Sequence, residues 1–131
     1  MAHPNEDVAR VAYAAFSRAD MDTVLGTFAD DIVWHVGGDS KLTGEYRGHK
    51  QVLGFFGELM ELTGGTFHLD VHDVLANDEH IVALVAVTAT REDRSVEGLP
   101  SAHVWHVRDG KLSAFWDCPS DQVVLDDVLR P

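Results

Sequence analysis

The residues that could do chemistry gather in the last third of the chain. Ala102-His103-Val104-Trp105-His106-Val107, the turn Arg108-Asp109-Gly110-Lys111, and Leu112-Ser113-Ala114-Phe115-Trp116-Asp117 read as a β-hairpin ending in an acid. An Asp at the end of an apolar, aromatic strand is either paired or reactive. Against an apolar chamber, desolvation raises its pKa and suits it to general acid–base work near neutral pH. The competing role for Asp117 is structural, half solvated, capping the next helix or pairing with an Arg. Read with cavity-facing parity, His106 partners Asp117 across the hairpin, and a His–Asp pair supplies both an acid and a base. His103 and His106 are three apart and point oppositely on a strand, so they cannot hold one metal together. His35, His103 and Trp105 take the outward parity, and His68 and His72, with Asp70 between, read as a solvent edge. Neither a metal nor a cofactor is expected: Cys118 faces away from Asp117 with no assured His neighbour, and Gly37-Gly38 and Gly64-Gly65 lack the Lys of a phosphate loop.

The elements that must position these residues are legible in the periodicity. Val8, Val11, Ala12, Ala15 and Phe16 recur at helical spacing from Glu6 to Ser17, with Asn5 as cap. Asp20 caps a short helix carrying Met21, Val24, Leu25 and Phe28, and Ile32 to Val36 reads as a strand. A loop runs to Gly48, with Tyr46 and Arg47 on it as a lid. From His49 to Leu62, Val52, Leu53, Phe55, Phe56, Leu59 and Met60 make a third helix, stopped by Thr63-Gly64-Gly65. Beyond Thr66 the chain is strand-like: Phe67 to Asp73, the β-branched run Ile81 to Thr88, Val96 to Val107, and Leu112 to Asp117. Ser120 can cap a last helix from Asp121 to Leu129.

Helices first and a meander of strands afterwards predict an α+β fold with a strongly curved, antiparallel (mixed) sheet wrapped around the N-terminal helices. Ile81 to Thr88 and Val104 to Val107 are apolar on both faces, whereas a sheet with one wet face alternates. The inner face is therefore expected to line a pocket, and the outer face to pack against a second copy as a homodimer. At 131 residues and 45% hydrophobic, residues 1–131 fit a single domain with a sizeable core. Ten Lys plus Arg against 22 Asp plus Glu give a net charge of −12, which repels nucleic-acid phosphate and anionic lipid alike. No apolar run approaches the ~20 residues of a membrane span, and the N-terminus lacks a signal-peptide order, so a cytoplasmic protein is expected. The lone Cys118 agrees with a reducing compartment.

The stretch from Asp20 to Asp31, Ile32-Val33-Trp34, Gly44-Glu45-Tyr46-Arg47-Gly48, Val52 with Phe55-Phe56, and Val107-Arg108-Asp109-Gly110-Lys111 with Phe115-Trp116 resembles the SnoaL-like branch of the nuclear-transport-factor-2-like superfamily. The resemblance covers nearly the whole chain. It implies a cone of curved sheet around a hydrophobic cavity, commonly dimeric, in a superfamily of polyketide cyclases, ketosteroid isomerases, epoxide hydrolases, dehydratases and binding modules, so fold does not decide function. Aligned on its motifs, the isomerase base falls on Val36, its acid on Ala102 and its Tyr on Ala12, none able to perform the role. Tyr13 lies one residue off, about 100° round the helix. The Asp-Arg-Asp set of limonene-epoxide hydrolase is likewise not recovered. The same alignment turns Ile32, Trp34, Val36, Ala102, Val104, Phe115 and Asp117 inward. The expected function is binding of a small apolar molecule, with cofactor-independent acid–base chemistry of isomerase, cyclase or hydrolase type at Asp117 and His106. Trp34, Tyr46, His49, Phe55, Phe56, Leu59, Val104 and Phe115 would hold the substrate. The alternative is a non-catalytic ligand-binding or dimerisation module.

Overall fold

A computed structural model describes residues 3–130. In chain order the elements are α1 (Pro4–Ser17), α2 (Met21–Thr27), β1 (Phe28–Val36), β2 (Gly44–Arg47), α3 (Gly48–Leu62), β3 (His68–Ala76), β4 (His80–Arg91), β5 (Arg94–Arg108), β6 (Lys111–Pro119) and α4 (Gln122–Leu129). The strands form one six-stranded sheet in the order β2-β1-β6-β5-β4-β3. All neighbours are antiparallel except β1 and β6, which run parallel and close the chain's first strand against its last.

Helices α1, α2 and α4 begin where the sequence offers an oxygen or ring nitrogen to a free backbone N–H. Asp20 caps α2 by accepting from the Thr23 N–H, as its spacing predicts. At α1 the cap is His3, whose Nδ1 accepts from the Asn5 N–H at 3.1 Å, rather than Asn5. The Asn5 amide is spent elsewhere, donating to the carbonyls of Asn77 and Asp78 and so tying α1 to the β3–β4 turn. At α4 the cap is Asp121, which accepts from the Val124 N–H at 3.1 Å, not Ser120. Gly44 to Arg47, expected as loop, is the edge strand β2 paired to β1.

The core fills the space between the sheet's inner face and the helices. Ala9, Ala12 and Ala15 let α1 approach closely, and Ile32, Leu42, Ile81 and Leu112 are fully buried. Each such aliphatic side chain contributes about 1.5–3 kcal/mol relative to exposure. Pairing irregularities interrupt every long strand: β1 after Phe28, β3 at His72, β4 at Thr88 against Gly98, and β6 at Ser113. Such bulges add twist and bend a sheet, which lets this one curl around the helices.

The bulge in β6 decides the faces of the hairpin. Asp109 (φ 53) and Gly110 (φ 73) form the two-residue turn, so Arg108 pairs with Lys111 and Val107 with Leu112. Beyond it His106 pairs with Ala114, leaving Ser113 as the extra residue. An unbulged ladder would set Val104 opposite Phe115 and Ala102 opposite Asp117. The observed pairs are Trp105 with Phe115 and His103 with Asp117.

Helix α4 covers one end of the inner face through Leu125, Val128 and Leu129, all buried. It is keyed to the β1–β2 loop: the Asp126 carboxylate accepts from the Asp39 N–H at 2.9 Å and from Gln122 Nε2 at 2.9 Å. Gly38, at φ +84, fits beneath them, and a Cβ there would lie 2.4 Å from both Asp126 Oδ1 and Gln122 Nε2. No helix among the described residues is long and apolar enough to cross a membrane.

Candidate functional site

A cavity of about 90 Å³ lies between the inner face of the sheet and the helices. That is several times the space one water requires, and its walls are mainly apolar and aromatic. Trp34 on β1 and Phe115 on β6 are register partners, and their rings stack with centroids 3.7 Å apart. Trp105 on β5 meets both edge-on, at 5.4 and 4.7 Å. From α3, Phe55 and Phe56 pack on Trp34, and Leu59 completes that wall.

One row of the sheet brings polar groups to this aromatic wall. Trp105 Nε1 donates to the Tyr13 hydroxyl at 3.1 Å, and that hydroxyl lies 2.6 Å from His103 Nδ1. An indole N–H can only donate, so the Tyr13 oxygen accepts from Trp105, and the arrangement that leaves the buried hydroxyl proton paired sends it to His103 Nδ1, the other polar atom bonded to that hydroxyl. His103 therefore carries its proton on Nε2, 3.5 Å from Asp117 Oδ1. Burial is the largest cause of every shift that sets this state, with the Trp105 hydrogen bond opposing it at Tyr13 and the Asp117 charge adding to it there. It pushes the Tyr13 hydroxyl upward, takes His103 down to about 3, and raises Asp117 to about 6. With His103 neutral, its approach to Asp117 is not an ion pair, and the alignment makes no hydrogen bond: Asp117 Oδ1 is buried without a partner. The Asp117 side chain keeps 20% of its surface exposed, which falls to its other oxygen and its methylene. A neutral imidazole N–H and a carboxylate of raised pKa thus stand side by side, a donor next to a proton acceptor.

Of the residues expected at the site, Trp34, Phe55, Phe56, Leu59, Phe115 and Asp117 line the cavity. His106, Val104, Tyr46 and His49 do not. The β6 bulge shifts the register by one and a one-residue slip exchanges the two faces, so His106 and Val104 are carried to the outer face. His106 lies there against Trp116 and His80, with centroids 4.8 and 5.0 Å away. Ala102 goes outward with them, whereas His103 and Trp105, read as outward from sequence, face the cavity. Ile32 is buried in the core rather than lining the cavity. Tyr46 stands on β2, donates its hydroxyl to the Leu42 carbonyl at 2.7 Å, and buttresses Phe55 from behind at 5.0 Å. His49 Nε2 donates to the carbonyls of Phe28 and Ala29 and pins the start of α3 to β1. Tyr13, one residue past the aligned position, reaches the cavity together with Ala12. His35 does face outward, stacked on Trp116 at 4.5 Å, and Cys118 is exposed away from Asp117.

A signal for the bulge was present in the sequence. Leu112 and Phe115 are both large and apolar but an odd number of residues apart, so both can face inward only if one residue is looped out between them. The groups at the α4 end of the cavity, Ser40, Gln122 and Asp126, had no comparable signal.

Residues 9–115 match the pattern of the SnoaL-like domain. Among curated proteins, the uncharacterised protein Rv0034 of Mycobacterium tuberculosis is 30% identical over 92 residues, 70% of each chain. Among solved structures, Bal32a, from a soil-derived mobile gene cassette, superposes with a TM-score of 0.91 at 26% identity over 97% of both chains. A nuclear-transport-factor-2-like protein of unknown function from Burkholderia pseudomallei K96243 follows at 0.86 and 26%, over 98% of this chain and 99% of that one. The curved sheet, the helices packed inside it and the match over most of the chain agree: this protein belongs to the SnoaL-like family, with a nuclear-transport-factor-2-like fold.

Proposed function

We propose that the protein binds a compact apolar carbonyl compound in this cavity and performs cofactor-independent proton transfer on it. Asp117 takes a proton from the carbon beside the carbonyl. The C–H electron pair moves into the enolate, and its oxygen is held by the His103 Nε2–H; the proton then returns from Asp117 to the same or a conjugated carbon. Tyr13 is a positioning residue, because its proton on Nδ1 fixes the tautomer that leaves Nε2 as a donor. The observation that carries this reading is the pairing of Asp117, raised to about 6 by burial, with a neutral His103 at 3.5 Å in an aromatic cavity. A carboxylate of raised pKa is a competent base near neutral pH, and a fixed N–H donor stabilises charge where it develops.

The test is α-hydrogen exchange of small ketones such as cyclopentanone in D₂O, followed by NMR. Exchange above the buffer rate that disappears in Asp117→Asn, with the fold intact, supports the reading. Ligand binding without exchange assigns the chain to the non-catalytic binding modules instead. We also propose that the outer face receives a second copy, since Trp116, stacked on His35 and flanked by His106, shares that face with an exposed Leu84. A light-scattering mass of two chains supports this, and a mass of one removes it.

A further inference from the structure

The lining of the cavity carries information about the charge and shape of what enters it. Its charged side chains are two carboxylates, Asp117 and Asp126, and neither Lys nor Arg is among the residues that line it. Asp126 is occupied, accepting from the Asp39 N–H and from Gln122. Among the described residues Asp117 Oδ1 has no hydrogen-bond partner, and His103 bonds only through Nδ1, so its Nε2–H is free. Besides the buried Trp34 Nε1–H of the aromatic wall, which also lacks a partner, the unsatisfied groups are therefore one acceptor and one donor, 3.5 Å apart, at the edge of an aromatic chamber of about 90 Å³.

We propose that this cavity selects an uncharged α-hydroxy ketone, whose carbonyl accepts from His103 Nε2–H while its neighbouring hydroxyl donates to Asp117. Those two oxygens sit on adjacent carbons, so one rigid edge of the ligand meets both groups at once. A carboxylate ligand of the same size brings a second negative charge against Asp117 with no cation to compensate, in a medium of low dielectric. A simple ketone leaves Asp117 without a donor, and a buried polar group left unpaired is penalised. The chamber, at about 90 Å³ against the roughly 150 Å³ apolar cavity that benzene fills, admits no ligand larger than benzene's six heavy atoms. The inference rests on the reading that Asp117 and His103 meet the ligand, and it concerns recognition rather than turnover.

The experiment is an NMR titration of the wild-type protein with 3-hydroxybutan-2-one, butan-2-one, 2-methylpropanoate and butan-2-aminium. The indole N–H signals of Trp34 and Trp105 report the cavity, and that of Trp116 serves as the outer-face control. The hydroxy ketone is expected to shift the first two and not the third, and to bind at least about tenfold more tightly than butan-2-one, the worth of one hydrogen bond to a charged group. The carboxylate is expected not to bind at neutral pH. In Asp117→Asn the hydroxyl's advantage should fall severalfold while butan-2-one is little changed. Equal binding of ketone and hydroxy ketone overturns the proposal, as does tight binding of the carboxylate or tighter binding of the ammonium. Selective binding of the hydroxy ketone without hydrogen exchange keeps this assignment and removes the catalytic one. Exchange of simple ketones with no preference for the hydroxyl does the reverse.

Discussion

His103 and His106 stand three residues apart on β5 and live in different media. The first is buried, holds the Tyr13 proton and faces Asp117; the second is exposed on the outer face, against Trp116 and His80. The side chain is the same in both. What separates them is whether water can reach the ring, and that is set by a bulge seven residues further along the hairpin. Inside, burial keeps an imidazole neutral and makes a carboxylate reluctant to ionise.

The contrast is broken most severely by deleting His106, which slides the rest of β5 by one residue and carries Val104 opposite Phe115 and Ala102 opposite Asp117 in place of Trp105 and His103. Losing two large inner-face side chains and burying mismatched ones should cost about 5 kcal/mol or more, comparable to a whole domain's stability. Far-UV circular dichroism melts should show little or no cooperative transition.

A smaller effect, of opposite sign, follows from Asp117. Its folded-state pKa, about 6, lies above the ordinary 3.8, so between those values the folded chain holds a proton that the unfolded chain has released. Stability falls as pH rises through this window, and above it the buried carboxylate costs about 2–3 kcal/mol. Asp117→Asn should therefore melt at a higher temperature than the wild type at pH 8, and the gain should vanish near pH 4. His103 works the other way: its pKa drops from 6.5 to about 3, so the unfolded chain binds the extra proton and stability rises with pH across that range. The two slopes oppose each other between about pH 4 and pH 6, and the wild type should be nearly flat there while Asp117→Asn shows the His103 slope alone. Parallel curves for the two proteins would mean that Asp117 is not desolvated.

Tyr13→Phe sharpens the inner half of the comparison. It leaves His103 Nδ1 and Trp105 Nε1 without partners and should cost about 1–3 kcal/mol in urea unfolding. Its effect on ketone exchange should be to lower kcat more than it raises KM, because the imidazole loses the proton donor that fixes its tautomer. His106→Ala sharpens the outer half and should stay within about 1 kcal/mol with exchange unchanged. Any change there should register in the mass in solution, since the ring lies on the face proposed to meet a second copy.

The architecture was legible because it is written in periods that tolerate small errors. The helical spacing of α1 and α3 and the apolar run of β4 survive an end misplaced by one or two residues. Asp117 was legible for a similar reason, as an acid at the end of an aromatic strand whose own parity was read correctly. His103 and Trp105 were not, because their assignment required counting across the turn into β6, where the looped-out Ser113 inverts the answer. Tyr13 was passed over because it was matched to a fixed position, while the cavity accepts residues from both Ala12 and its neighbour. Tyr46 and His49 carry aromatic character suited to a pocket but spend their polar atoms on backbone carbonyls, an allocation visible only in three dimensions.

The missing side chain at position 38 is a handle on cavity size. Even a methyl group there would drive into the ends of Asp126 and Gln122, and φ +84 strains an Ala, so Gly38→Ala should swing those side chains aside, break the bond from the Asp39 N–H to Asp126 and loosen the rim of the chamber while leaving the sheet untouched. Diversity in the guests such scaffolds accept could thus be engineered at the hinge of the cover, far from the groups that do the recognising.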